Sequence, residues 1–391
     1  MSTLGREFIC GNRELWNGPG RRALLLKVIL CAGLLSGLSL SSKLWLADRA
    51  FPTIPALPGL PNLPQTLCLA LAWLFVACVL AVALTPSPGL VIYAIPALGA
   101  VLVLFDITRL QPWFYQYLLL FVALGGFKWS DPGADRSKSA LAVFAFILLA
   151  TYFWSGLQKA NGTFAETIFP WLLHPLGLER LQPFWFVAPI LETAVGILLI
   201  MPRTRAWGLA GAVAMHLVLL MALGPFGQNF NPVVWPWNLC MPTMAFVLFF
   251  RNPEPILRIA WGPPVGKTIV VLVGVMPALS FFGRWDAYLS ASLYSGKTRE
   301  AFIMLTEEGA RRIPPYVKPH IHRGKNRIGL DIVRWSLSEL SVPPYPEVRV
   351  YQALARKLQE AGVPPEEMTL VVTDRTSLLS PKPGFIIVPI R

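Results

Sequence analysis

Apolar residues in this chain come in long unbroken runs, with polar residues gathered between them. Nine runs have the length and character of bilayer-crossing helices, at residues 24–45, 66–85, 89–105, 111–127, 139–157, 183–201, 206–223, 232–250 and 266–283. From about residue 285 the pattern changes to shorter, mixed stretches. Glu300–Thr306, Met368–Asp374 and Phe385–Pro389 read as strands, and Asp331–Leu340 and Glu347–Gly362 as helices. In the last of these, Val348, Tyr351, Leu354 and Leu358 recur at helical spacing and Gly362 suits the C-terminal cap. The expected fold is an all-α polytopic membrane domain of about nine transmembrane helices with a small C-terminal α+β domain. Its parts are an N-terminal segment over 1–23, the helical domain over 24–283 and the soluble domain over 285–391.

Charge gives this layout a direction. Only 14% of residues are charged, where soluble domains average about 25%, and the net charge is +13. Arg6, Arg13, Arg21, Arg22 and Lys27 precede or begin the first run. Lys128, Arg136 and Lys138 follow the fourth, Arg203 and Arg205 the sixth, and Arg251, Arg258 and Lys267 the eighth. With nine crossings these clusters share one side, so the positive-inside rule expects a multi-pass cell-membrane protein with a cytoplasmic N-terminus and an extracytoplasmic C-terminal domain. The basic excess is thereby accounted for by membrane topology and the surrounding lipid. No nucleic-acid partner is expected, because no basic stripe accompanies a soluble nucleic-acid fold. The first run follows about two dozen more polar residues without a clear small-residue cleavage site, and reads as a retained signal-anchor.

Three segments on the outer side stand out. Residues 46–65 carry Pro52, Pro55, Pro58, Pro61 and Pro64, an extended lip that is not helical. Residues 158–182 are too apolar for a free loop and are expected to lie in the interface or re-enter. Residues 224–231, Gly-Pro-Phe-Gly-Gln-Asn-Phe-Asn, form a polar turn before the eighth run.

Ionisable groups in apolar helices are costly and mark functional candidates. Lys159 ends the fifth run, Glu192 sits within the sixth and His216 within the seventh. The sixth and seventh runs are antiparallel, and counting residues from their ends puts Glu192 and His216 at one depth, where they can pair, with Lys159 reaching toward them. Each also has a plainer role: Lys159 as a snorkelling anchor, Glu192 and His216 as packing hydrogen bonders. Asn161, Gln228, Asn229, Asn231, Trp235, Trp237 and Asn238 form an outer polar set, and Pro232 and Pro236 loosen the start of the eighth run. A pocket between the fifth and eighth runs is expected, with Asn161, Trp235 and Asn238 as its ligand contacts. No metal site is expected. His320 and His322 lack a third ligand nearby, and no pair among the five cysteines has metal or redox spacing. Asp106 and Arg109 are expected to pair at the outer rim. No phosphate-binding loop, Ser-His-Asp order or metalloprotease motif is present.

The run Tyr152-Phe153-Trp154-Ser155-Gly156-Leu157-Gln158-Lys159 resembles the signature of the membrane family that includes vitamin K-dependent γ-glutamyl carboxylase and its bacterial relatives, the HTTM domain. The resemblance covers about residues 70–250. It implies that Lys159 is a base acting on a reduced membrane quinone, with His216 as the downstream intramembrane histidine. The chain departs from the family pattern in the fourth run, where Gln111–Tyr117 stands in place of a histidine, and in its smaller C-terminal domain. Gly156-x-x-Lys159 followed by Glu192-Thr-Ala-Val-Gly is also similar to the DoxX and MauE membrane proteins, whose four-helix core would correspond to about residues 139–250. That likeness implies an accessory or assembly role in which Lys159 and Glu192 form a structural pair and the C-terminal domain binds a protein partner. Under the first likeness, Glu192 opposes loss of the lysine proton and His216 relays one or positions the ligand.

Overall fold

The computed structural model describes residues 18–46, 48–324, 327–373 and 384–390. Arg6, Arg13 and most of the segment expected over 1–23 lie outside the described residues, as does the Asp374 end of one expected strand. The chain is mostly helical. Each of the nine apolar runs contains a helix: α1 Pro19–Leu40, α2 Gln65–Leu84, α3 Val91–Phe105, α4 Pro112–Gly125, α5 Asp135–Gln158, α6 Val187–Ile200, α7 Arg205–Leu223, α8 Val234–Phe249 and α9 Pro264–Phe282. Five of them, α1, α2, α5, α7 and α9, are long and apolar enough to cross a membrane. The other four have only 14–16 residues. At 1.5 Å per residue, that is roughly 21–24 Å, short of a hydrocarbon core of about 30 Å.

Proline marks several helix starts. Pro19, Pro112 and Pro264 occupy first-turn positions, where a missing N–H costs nothing. Helix α9 changes character along its length, from α to a π segment at Val270–Val275 and a 3-10 segment at Met276–Phe282. The Gly274 carbonyl in it accepts a hydrogen bond from Trp154 Nε1 at 3.2 Å. Lys27, only 1% exposed inside α1, donates to the carbonyl of Thr85 at the end of α2, at 2.5 Å. This is a cation capping a helix C-terminus.

Helix α5 is the central element and packs against α4, α6, α8 and α9. One end of the bundle carries the start of α1 and α5 and the end of α8. The other end carries the 46–65 lip, the 158–184 segment and the sheet domain. The apolar 158–184 segment is folded into short helical turns, with Leu172 and Leu173 buried.

Among the described residues, the sheet domain is built on five antiparallel strands in the order β2-β3-β1-β4-β5: β1 Ala301–Leu305, β2 Ile321–Arg323, β3 Ile328–Asp331, β4 Met368–Thr373 and β5 Phe385–Val388. Ala301, Ile303 and Leu305 alternate inward on β1, as Met368, Leu370 and Val372 do on β4. Three helices complete it: α10 Glu307–Arg312, α11 Ile332–Leu340 and α12 Val348–Glu360. Val350, Tyr351, Leu354, Ala355 and Leu358 form the buried stripe of α12. Strands β2 and β3 are absent from the sequence reading; they are as short as β5, but Ile-His-Arg and Ile-Gly-Leu-Asp lack the unbroken apolar run that marks β5.

The Pro-rich lip ties the two parts together. Phe51 packs edge-on against Trp335 of α11 at 5.0 Å between centroids. The Glu339 carboxylate accepts from the Ala50 and Phe51 amides at 2.5 and 2.8 Å. Arg349 Nη1 donates to the Pro55 carbonyl at 2.9 Å, and Gln111 Nε2 to that of Pro343 at 3.0 Å. Behind the lip, Asp106 is fully buried. Its nearer partner is Arg49 at 2.5 Å, with Arg109 at 3.7 Å, so the expected rim pair is an interior triad. Trp335→Ala is expected to lower stability by about 3–5 kcal/mol and to open the lip to proteolysis. Thermal unfolding and limited proteolysis check this; an unchanged cleavage rate within residues 46–65 contradicts the docking role of Trp335.

Candidate functional site

Tyr152, Ser155 and Lys159 recur at spacings of three and four, so they share one face of α5 and the turn that ends it. Gly156 lies beside them and faces α6. A Cβ there would meet the Thr193 amide nitrogen at 2.4 Å and the Pro189 carbonyl oxygen at 2.8 Å. Gly196 of α6 is as close to α5, where a Cβ would meet the Leu149 carbonyl oxygen and the Phe153 nitrogen at 2.8 Å. Two glycines facing opposite ways let the backbones touch, which is the device of close helix pairs in apolar surroundings.

That approach brings Lys159 to Glu192. Lys159 Nζ lies 2.8 Å from Glu192 Oε2, with the two residues 7% and 9% exposed. The ammonium also donates to Ser155 Oγ at 2.7 Å and to the Ser155 carbonyl at 3.1 Å, which accounts for its three hydrogens. Each charge is thus buried with a partner, as burial requires.

His216 takes a different set of partners. Its Nδ1 lies 2.7 Å from Asn238 Oδ1, and its Nε2 lies 3.0 Å from Tyr152 Oη. Asn238 Nδ2 donates to the Val234 carbonyl at 2.7 Å, which fixes Oδ1 as the atom facing the ring. His216 therefore carries its proton on Nδ1 and accepts from the Tyr152 hydroxyl on Nε2. Donors run one way from Tyr152 through His216 and Asn238 to a helix carbonyl. The direct Glu192–His216 pair expected from depth is replaced by two separate pairs.

Lys159, Glu192, Tyr152, His216 and Asn238 line one cavity of about 90 Å³. That volume holds roughly half a dozen water-sized positions at about 10–15 Å³ each, so it suits a small ring or polar head. The rest of the wall is mainly apolar, including Leu119, Leu172, Met215, Leu219, Met241 and Val273. Gln116 also faces it. It accepts from Trp237 Nε1 at 2.6 Å and donates to Thr151 Oγ1 at 2.8 Å. Tyr115 Oη is buried at the same wall without a hydrogen-bond partner among the described residues.

Tyr288, Leu293 and Tyr294, from the segment after α9, close the cavity and also line a second pocket of about 220 Å³ against the sheet domain. Ala291 and Tyr294 have φ of 57° and 54°, and Asn231, which donates to Tyr294 Oη at 2.9 Å, has φ of 49°. Such backbone strain in non-glycine residues collects at functional sites. Beside this segment, burial pushes the Asp286 carboxyl above the usual carboxylate range, although the Leu289 amide donates to it at 2.9 Å. Burial lowers Lys297, over the Phe281 ring at 3.5 Å, to about 8.

Two expected ligand contacts stand elsewhere. Asn161 is outside the lining. Its amide donates to the carbonyls of Gln158 and Ser295 at 2.9 and 2.7 Å, and its oxygen accepts from the Phe164 amide at 3.0 Å. Trp235 donates to the Leu223 carbonyl at the end of α7, at 2.9 Å, and is also outside the lining. Both hold the frame. Sequence reasoning passed over Tyr152 and Ser155 as site residues, although their spacing to Lys159 marks them. Tyr288 and Tyr294 carried no comparable signal. Among the described residues no three metal-ligating side chains converge, and His322 instead lies 3.8 Å from Asp331 and 3.1 Å from Arg334.

Comparison of the chain with protein-family models, curated proteins and solved structures gives no match. Its functional reading therefore rests on this geometry. Gly156→Leu is expected to force α5 from α6, separate Lys159 from Glu192 and cost about 1–3 kcal/mol or more. A leucine variant that unfolds at the wild-type temperature contradicts the close packing.

Proposed function

We propose that this is a nine-span integral membrane protein whose cavity is an enzyme site for a lipid-soluble ring compound with an acidic hydroxyl. A reduced membrane quinone is the leading representative of that class. The N-terminus is cytoplasmic and the sheet domain extracytoplasmic. The four shorter helices reach across by means of their capping turns and local thinning of the bilayer. The observation that carries the reading is the buried Lys159–Glu192 pair opening on an apolar cavity that Tyr152, His216 and Asn238 also line.

In this reading the proton of Lys159 passes to Glu192 along their 2.8 Å contact, leaving a neutral amine. The amine takes the hydroxyl proton of the ligand. The products are a ligand anion, a Lys159 ammonium and a neutral Glu192, so one proton has moved from ligand to carboxyl. Tyr152 is held by His216 with an oxygen lone pair left to receive a ligand hydrogen bond. The apolar wall excludes water from the anion.

One observation favours a second reading: all three Lys159 hydrogens are taken within the protein. The pair would then be structural in an accessory protein, and the exposed edge strand β5, with Phe385 and Ile387 68% and 71% exposed, would receive a protein partner.

Lys159→Arg separates the two, because Arg keeps the charge but has no accessible neutral form. In protein reconstituted with a short-chain naphthoquinol, absorption of the bound quinol anion reports deprotonation. The enzyme reading expects anion formation to slow by about 100-fold or more in both Lys159→Arg and Lys159→Ala, with the Arg variant as abundant as wild type. Anion formation by Lys159→Arg at the wild-type rate sinks the base assignment and leaves the structural pair.

A further inference from the structure

At the end of the bundle away from the sheet domain, the starts of α1 and α5, the end of α8 and the short helix Ile256–Ala260 enclose a cavity of about 270 Å³. Three cations line it: Arg22, Lys138 and Arg251. Among the described residues Glu254 is the single acid of the lining, and its charge acts on Arg22. Apart from Asn252 the remaining wall is apolar, made by α5 through Leu141 and Ala145 and by the short helix through Ile256 and Ile259.

The cations are only loosely engaged. Arg22 makes a long 3.4 Å contact to the Phe250 carbonyl, and Lys138 lies 3.8 Å from the fully exposed Asp135. Arg251 sits over the Phe250 ring at 5.1 Å. The floor is rigid by contrast. Buried Arg205 donates to the carbonyls of Asn252 and Glu254, the latter at 2.7 Å, and to that of Leu199 at 3.0 Å. Asn252 Nδ2 donates to the Leu248 carbonyl at 2.7 Å, and Arg251 has φ of 49°. The turn that presents Arg251 is thus held in place before any ligand arrives.

We propose that this cavity binds the phosphate of an anionic glycerophospholipid. The guanidinium groups and Lys138 meet the phosphate oxygens, and the apolar wall takes the glycerol backbone and the first methylenes of an acyl chain. Guanidinium forks match phosphate geometry, and basic pockets between membrane helices suit anionic head groups. An apolar wall beside the cations distinguishes a lipid from a free phosphate. The proposal rests on membrane embedding of the helices and is independent of the chemistry assigned to Lys159. Resistance of the protein to alkaline carbonate extraction tests that embedding separately.

The test is thermal unfolding of the full chain in neutral detergent, titrated with phosphatidylglycerol, with phosphatidylcholine or with inorganic phosphate. Phosphatidylglycerol is expected to raise the midpoint at a concentration about tenfold or more below that of phosphatidylcholine. The variant Arg22→Gln, Lys138→Gln, Arg251→Gln loses that preference. Lys138→Gln alone, at a half-exposed position that leaves folding intact, weakens it severalfold. A control with equal charge loss at the same end but outside the lining, Lys128→Gln, Arg258→Gln, Lys267→Gln, retains it. Equal loss in the control, or no preference in wild type, overturns the site. Stabilisation by inorganic phosphate at the same low concentration overturns the lipid and assigns a soluble phosphate ligand.

Discussion

Two charges less than a tenth exposed depend on one another, and the helical part of this protein is arranged around them. Lys159 and Glu192 meet at 2.8 Å. Removing one partner of such a pair leaves an unpaired charge in a medium that solvates it poorly. The pair exists because Gly156 and Gly196 let α5 and α6 touch along their backbones. One constraint therefore links a sequence feature, Gly-x-x-Lys, to a crossing of helices and to the placing of a charge at a cavity wall.

The same helix orders the rest of the site. Tyr152 lies two turns before Lys159, and it hands a hydrogen bond to His216, which hands one to Asn238. Three helices, α5, α7 and α8, are tied by that chain, while the ion pair ties α5 to α6. The polar groups are fixed by one another and the surrounding wall is apolar, the composition of a ligand pocket with few oriented contacts. At the far end of α5 the logic differs. There the cations are held loosely over a rigid floor, which is why a ligand from outside the chain is proposed for them.

Much of this was legible as pattern. Nine apolar runs correspond to nine helical segments, because an unbroken apolar stretch in this composition has few alternatives. The long strands of the sheet were legible from their alternation. Strands β2 and β3 were not, since Ile-His-Arg and Ile-Gly-Leu-Asp lack the apolar run that marks the equally short β5 and pair only in the tertiary context. Depth along a helix was also legible, which is why Lys159, Glu192 and His216 were singled out together, while Asn238 stood out only as one of a polar set at the start of α8. Direction around the helix was not. Glu192 and His216 share a depth yet take different partners. Asn161 and Trp235 lie near the sheet-domain end but spend their hydrogen bonds on backbone groups. Residue type and depth do not reveal which carbonyls a turn leaves unpaired.

The central claim is that Lys159 and Glu192 act as one buried unit. A double-mutant cycle of Lys159→Met and Glu192→Met, read by thermal unfolding, tests it most directly. The account predicts that each single change costs about 3–5 kcal/mol and that the double change recovers most of the loss, because no charge is then left without its partner. Single effects that simply add in the double variant would contradict it.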